Sequence, residues 1–254
     1  MPFRAFLERR FCQALLFQKL ITLFLRTVVS ISKSWSDERV KTISRWGDSV
    51  FPHGTQSILR RRNDELGGSE VPDNKTKRQR EFDAGRSCTS TLLNRWGVSE
   101  KVGVSDDRSP IWPAGFAGSI SHSDNWVWAV VAQSRDCHSI GVDTEIVVSS
   151  ETLQTLHEEV ITVQELSVIE SLGLSPPVAF TLAFSAKEAF YKCWYPITKA
   201  FFEFKQVAIE SCTPDTIRIA SLDSNPNFKI SPASLDVHFH TTKSDVFTAT
   251  WMAQ

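Results

Sequence analysis

Three short stretches of the chain hold side chains whose type and spacing suit catalysis. In Gly141-Val142-Asp143-Thr144-Glu145 two carboxylates are separated by one residue. On a β-strand alternate side chains share a face, so Asp143 and Glu145 would stand side by side. Adjacent carboxylates repel and stay ionised together only with a cation between them. Oxygen-only ligands of this kind suit Mg2+, which completes its shell with waters and substrate phosphates; a solvated strand face gives the same pattern. In Phe184-Ser185-Ala186-Lys187-Glu188-Ala189-Phe190-Tyr191-Lys192 the acid Glu188 and Lys192 lie four apart, on one face of a helix and opposite its apolar stripe. They read either as an i,i+4 ion pair or as a third metal ligand or base followed by a phosphate-binding lysine. In Gly118-Ser119-Ile120-Ser121-His122 small residues precede a histidine at a strand end, which lets a phosphate approach the backbone closely.

These residues need strands and helices to hold them, and the hydrophobic pattern supplies candidates. Glu81, Phe82, Leu92, Leu93 and Trp96 are spaced as on an amphipathic helix that Gly97 stops, with Lys77, Arg78, Arg80 and Arg86 on its first turns. A short strand runs to His122, a turn follows at 123–125, and the apolar run WVWAVVA at 126–132 reads as a buried strand. Another strand is expected over 139–147, carrying Asp143 and Glu145. Residues 151–172 read as one or two helices. A longer helix opens at Ser175-Pro176-Pro177, with Ser175 as candidate N-cap, and is expected to end at Tyr195-Pro196. Strands are expected over 201–209, 216–220, 235–241 and 246–251, while residues 60–80 read as a long polar loop.

The 254 residues carry 28 Lys plus Arg against 29 Asp plus Glu, a formal net charge of −1, and a pI near 6.6. That argues against a polybasic nucleic-acid binder, and 41% hydrophobic residues argue against disorder. The total hides a split: residues 1–122 hold 20 basic and 13 acidic side chains, residues 123–254 hold 8 and 16. Five widely spaced cysteines without a C-x-x-C pattern indicate neither a disulfide framework nor a zinc ribbon, and point to reduced thiols in the cytoplasm. Residues 1–31 carry Arg4, Arg9, Arg10, Lys19 and Arg26 within an apolar background. Lys19 and Arg26 interrupt the run, so no uninterrupted stretch spans a bilayer; a transit-type or interfacial amphipathic helix and a docked N-terminal helix are the alternatives, and no membrane partner is expected. The segment reads as an atypical N-terminal extension.

Taken together, the stretches KRQREFDAGRSC (77–88), RSPIWPAGFAGSISHS (108–123), SIGVDTE (139–145) and FSAKEAFYKCWYP (184–196) resemble the 4′-phosphopantetheinyl transferase superfamily, and within it the enterobactin synthase component D-like branch. The tail FFEFKQVAI (201–209) fits too. The resemblance covers about residues 77–254. It implies an α+β fold built as a pseudo-twofold pair of similar half-domains, 32–138 and 139–254, with the active site in the cleft between them and the chain a monomer.

The activity implied is Mg2+-dependent transfer of the phosphopantetheine arm of coenzyme A to a serine of an acyl- or peptidyl-carrier protein, with release of 3′,5′-ADP, in siderophore or other secondary-metabolite biosynthesis. By the same resemblance Asp143, Glu145 and Glu188 would hold Mg2+, Glu188 would take the serine proton, and Lys192 would meet the pyrophosphate. Arg78 or Arg80, and Arg86, would meet the 3′-phosphate, Arg108 and His122 the phosphates near the adenosine, and Ser121 would touch the ligand. Guanidinium forks suit phosphate oxygens. Where relatives carry a second Arg soon after Gly85-Arg86, this chain has Thr89 and Ser90, which implies one phosphate contact fewer. Rival readings are an inactive coenzyme A-binding or carrier-docking protein, and a metal-dependent phosphodiesterase.

Overall fold

The computed structural model describes residues 37–61, 75–222 and 234–254; the expected extension 1–31 and most of the polar loop at 60–80 lie outside them. In chain order the elements are α1 (Asp37–Ser49), β1 (Thr55–Arg61), α2 (Lys77–Asn94), β2 (Gly103–Val104), β3 (Pro110–Ile111), β4 (Phe116–His122), β5 (Trp126–Gln133) and β6 (Cys137–Ile146), followed by α3 (Ser150–Val160), α4 (Val163–Glu170), α5 (Pro176–Thr198), a 3-10 turn (Phe204–Gln206), β7 (Val207–Cys212), β8 (Thr216–Ser221), β9 (Ser234–Thr241) and β10 (Asp245–Ala253). Helices and antiparallel strands are segregated, as in an α+β protein.

The strands form a three-stranded sheet in the order β1-β5-β4, a five-stranded sheet in the order β6-β10-β9-β8-β7, and a β2-β3 ribbon. The apolar run at 126–132 is buried on both faces, which is why it does not alternate with polar residues. Trp126, Trp128 and Val130 enter one core with Ile140, Val142, Phe247 and Ala249 from β6 and β10. Val127, Ala129 and Val131 enter another with Cys88, Leu92 and Leu93 of α2. The third and largest core lies between α5 and the five-stranded sheet, around Phe180, Phe184, Phe190, Trp194, Ile219 and Val237.

Local chemistry sets the ends of the helices. Thr76 and Gln79 make a reciprocal capping box at the start of α2, and Thr162 with Glu165 does the same for α4. That second box separates α3 from α4, so residues 151–172 form two helices. Ser175 precedes α5 as expected, but its side chain makes no cap hydrogen bond; the prolines at the first two helical positions serve instead. Pro196 does not end α5. The helix continues to Thr198 and closes at Lys199, which takes the left-handed conformation at φ 50° and donates its N–H to Tyr195 O at 2.9 Å. Of the stretch expected as a strand over 201–209, residues 201–203 are irregular and Phe204–Gln206 form the 3-10 turn, so the strand starts only at Val207. Among the described residues, no helix is long and apolar enough to cross a membrane.

Candidate active site

The site forms where β4, β6, β10 and α5 meet. β4 and β6 belong to different sheets, and serine side chains join them: Val142 N donates to Ser119 Oγ at 3.0 Å and Thr144 N to Ser121 Oγ at 3.2 Å. α5 lies so close to β6 that a Cβ at Gly141 would stand 1.8 Å from Ala189 O and 2.7 Å from Cys193 N. Only glycine permits that approach, and it brings Glu188 down beside Asp143 and Glu145. The two strand carboxylates share a face, as expected, but that face is not solvated: Asp143 is 2% exposed, Glu145 8% and Glu188 6%.

Asp143 is the hub of a hydrogen-bond network. Its Oδ1 accepts from Lys192 Nζ at 2.6 Å and from Ser121 Oγ at 2.9 Å, and its Oδ2 accepts from Ser185 Oγ at 2.8 Å. Lys192 Nζ also reaches Ser121 Oγ at 3.1 Å. Thr248, directly opposite Asp143 in the β10–β6 register, lies 2.8 Å from Ser185 Oγ and donates to Ser185 O at 2.9 Å. The ion pair across the helix surface that Glu188 and Lys192 would make is therefore not formed; Lys192 pairs with Asp143 instead. Nor do the two lie opposite an apolar stripe, because α5 is buried all round from Val178 to Phe190.

Lys192 is one cation among three carboxylates. Burial alone would lower its pKa, but Asp143 and Glu188 more than offset that and hold it above the ordinary lysine value. The excess negative charge shows on the other two acids. Burial, with Asp143 beside it, raises Glu145 well above the ordinary range, and burial pushes Glu188 up to about 8, Lys192 offsetting part of the effect. Glu188 Oε1 is buried and has no hydrogen-bond partner. Among the described residues, no three His, Cys, Asp or Glu side chains stand as a preformed metal cage; beside Asp143 the Lys192 ammonium takes the place of a cation. Two carboxylates short of counter-charge, one with an orphaned buried oxygen, nonetheless fit a hard divalent ion that brings further oxygen ligands with it.

Ser121, Asp143, Glu145, Glu188 and Lys192 are thus brought together; the expected nucleotide-binding residues make other contacts. Arg78 is exposed on the first turn of α2, and Arg80 donates to Lys75 O. Arg86 donates to Val102 O at 2.8 Å and lies 5.0 Å over the Phe82 ring. Arg108, at φ 68°, sits in a loop whose Asp107 accepts from Ser109 N at 2.9 Å and from the Tyr195 hydroxyl of α5. His122 Nδ1 is 3.8 Å from Glu81. Two residues of the network, Ser185 and Thr248, are not among those the sequence motifs single out. Ser185 is legible in principle, lying three residues before Glu188 and hence on its face; Thr248 is not, because only the β10–β6 register places it.

Residues 70–132 match the 4′-phosphopantetheinyl transferase N-terminal domain, and residues 139–249 match the 4′-phosphopantetheinyl transferase superfamily. The chain belongs to the 4′-phosphopantetheinyl transferase superfamily. Similar members of it include enterobactin synthase component D of Salmonella typhi, 39% identical over 118 residues, which are 46% of this chain and 49% of that relative. The component D of Escherichia coli (strain K12) is 37% identical over 116 residues, covering 46% and 54%. The 4′-phosphopantetheinyl transferase PptT of Mycobacterium tuberculosis is 30% identical over 145 residues, covering 55% and 61%. The chain spans about half the length of the enterobactin synthase relatives it matches.

Proposed function

We propose that this chain is a holo-carrier-protein synthase, transferring 4′-phosphopantetheine from coenzyme A to a serine of an acyl- or peptidyl-carrier protein and releasing 3′,5′-ADP. The observation that carries this reading is the buried convergence of Asp143, Glu145 and Glu188 around a single lysine, with Ser121 alongside. The names of the relatives support it and favour a carrier of a siderophore or related pathway. The pseudo-twofold reading assigns 32–138, with its three-stranded sheet and α2, to the nucleotide side. It assigns 139–254, with α5 and the five-stranded sheet, to the metal side. The reading also makes the chain a cytoplasmic monomer with coenzyme A in the cleft between the halves.

In this scheme the carrier serine oxygen attacks the phosphorus that bears the pantetheine arm, and the bond from that phosphorus to the oxygen of the 3′,5′-ADP leaving group breaks. Glu188, once ionised, accepts the serine proton. Lys192 stands on Asp143 beside the path of the diphosphate and stabilises charge growing on the leaving oxygen. Asp143, Glu145 and Glu188 would hold Mg2+, which supplies positive charge to the diphosphate. Arg78 or Arg80, Arg86, Arg108 and His122 would secure the nucleotide phosphates. The mass of an intact apo carrier incubated with the chain, coenzyme A and Mg2+ tests this: a phosphopantetheine gain is expected, abolished by EDTA and by Glu188→Ala. No gain on fatty-acid, polyketide or peptide-synthetase carriers would refute it.

A further inference from the structure

Next to Glu188 on α5 is a lysine that plays no part in the site just described. Lys187 is 1% exposed, and all three of its ammonium protons have acceptors. Its Nζ is 2.6 Å from Glu165 Oε1, 2.8 Å from Val160 O and 2.9 Å from Phe204 O. Glu165 is equally saturated. Its Oε1 also accepts from Ile209 N at 2.9 Å, and its Oε2 accepts from Thr162 N at 2.8 Å and Thr162 Oγ1 at 3.0 Å. One buried ion pair thus ties α5 to the end of α3, the start of α4, the 3-10 turn and β7.

The position of this knot on the helix is what matters for chemistry. Successive helical residues point about 100° apart, so Lys187 is anchored on a different face from Glu188. The face toward β6 is held by Ser185 and Lys192, both bonded to Asp143. Around Lys187 the helix is otherwise packed by apolar side chains, which resist separation but have no preferred direction. A second, directional tether on another face stops the helix from rolling about its axis. A roll would carry the Glu188 carboxylate along its circumference, away from Asp143.

We propose that the Lys187–Glu165 pair is a positioning device for Glu188, fixing the rotation of α5 so that this carboxylate meets those of β6. The inference rests on the transferase reading for its kinetic consequence. Replacing a buried ion pair by neutral groups commonly leaves a protein folded, which separates positioning from stability. K187M/E165Q removes both charges while the new side-chain amide can still serve Ile209. E165D keeps both charges and shortens the tether by one methylene.

The experiment measures, for both variants, the cooperative melt, kcat and the KM for coenzyme A with an apo carrier. Mn2+ affinity in the presence of coenzyme A is measured by electron paramagnetic resonance. The expected result is folded protein with kcat down by about 10²-fold, the scale of a 1 Å misplacement. KM should stay within about twofold and Mn2+ affinity should fall by about tenfold. If E165D or the double variant folds with wild-type kcat and Mn2+ affinity, the pair is only structural and the proposal is overturned. If the double variant does not fold, E165D decides. If the wild-type chain modifies no carrier, the transferase reading falls, and the positioning inference is then judged on Mn2+ affinity alone: weakened binding supports it, unchanged binding overturns it.

Discussion

Lys192 donates to Asp143 at 2.6 Å, across the gap between helix and strand, rather than to Glu188 one turn earlier on its own helix. In the proposed reaction the lysine would act on the diphosphate from this place in the cluster. K192A is expected to lower kcat by about 10²–10³-fold, the cost of removing one preorganised charge donor. K192R should rescue little of this, because a planar guanidinium cannot reproduce a point donor shared by Asp143 and Ser121. Steady-state kinetics with an apo carrier check both.

Glu188 makes stability depend on pH in a defined direction. Its pKa rises on folding, from an ordinary value of 4.5 to about 8. Between those values the unfolded chain has lost a proton that the folded chain keeps, so stability is full below pH 4.5 and falls as pH rises toward 8. In EDTA the melting temperature should decline over that window, and E188Q should make the decline shallower, the remainder belonging to Glu145, whose pKa is raised in the same direction. Mg2+ with coenzyme A should restore the melting temperature most at the alkaline end. Scanning calorimetry in matched buffers from about pH 5 to about pH 9 reads all three.

Ser185 holds Asp143 from behind, at 2.8 Å. Partners of this kind orient a ligating carboxylate, and their loss typically costs about 10–100-fold in metal affinity. S185A is expected to raise the Mg2+ concentration needed for half-maximal activity by at least tenfold while leaving the KM for coenzyme A unchanged. S185T, which keeps the hydroxyl, should lie nearer to wild type.

Tyr195 connects α5 to the loop that carries Arg108, through Asp107. Asp107 is held well below the usual carboxylate range: burial works in the opposite direction, and hydrogen bonds from Ser105, Tyr195 and Ser109 outweigh it. Y195F removes one of those donors and loosens the loop that keeps Arg108 at positive φ. If Arg108 meets a phosphate of coenzyme A, the KM for coenzyme A should rise several-fold with kcat nearly constant. A change in kcat alone would place this loop elsewhere in the mechanism.

The amino-acid pattern makes some of this readable and hides the rest for identifiable reasons. β5 is legible as an apolar run flanked by turn residues, and α5 as an apolar helical pattern opened by Ser175-Pro176-Pro177. The D-x-E and E-x-x-x-K spacings place Asp143, Glu145, Glu188 and Lys192 correctly by face. Spacing cannot say which partner Lys192 chooses, because that depends on how closely α5 approaches β6. Nor can it pair Lys187 with Glu165, 22 residues away, when Glu158 and Glu159 lie in the same acidic region. Pro196 is misleading for a local reason: a proline in the last turn gives up one hydrogen bond where the helix is about to end anyway.

The missing side chain at Gly141 sets the spacing of the whole site. A Cβ there would overlap the carbonyl oxygen of Ala189, so any other residue forces α5 off β6 and carries Glu188 with it. The acid triplet is therefore a four-residue signature whose fourth member contributes no atom. A homologous chain that keeps D-x-E and E-x-x-x-K, but has a larger residue two positions before the aspartate, can be recognised from its sequence as unable to assemble this cluster.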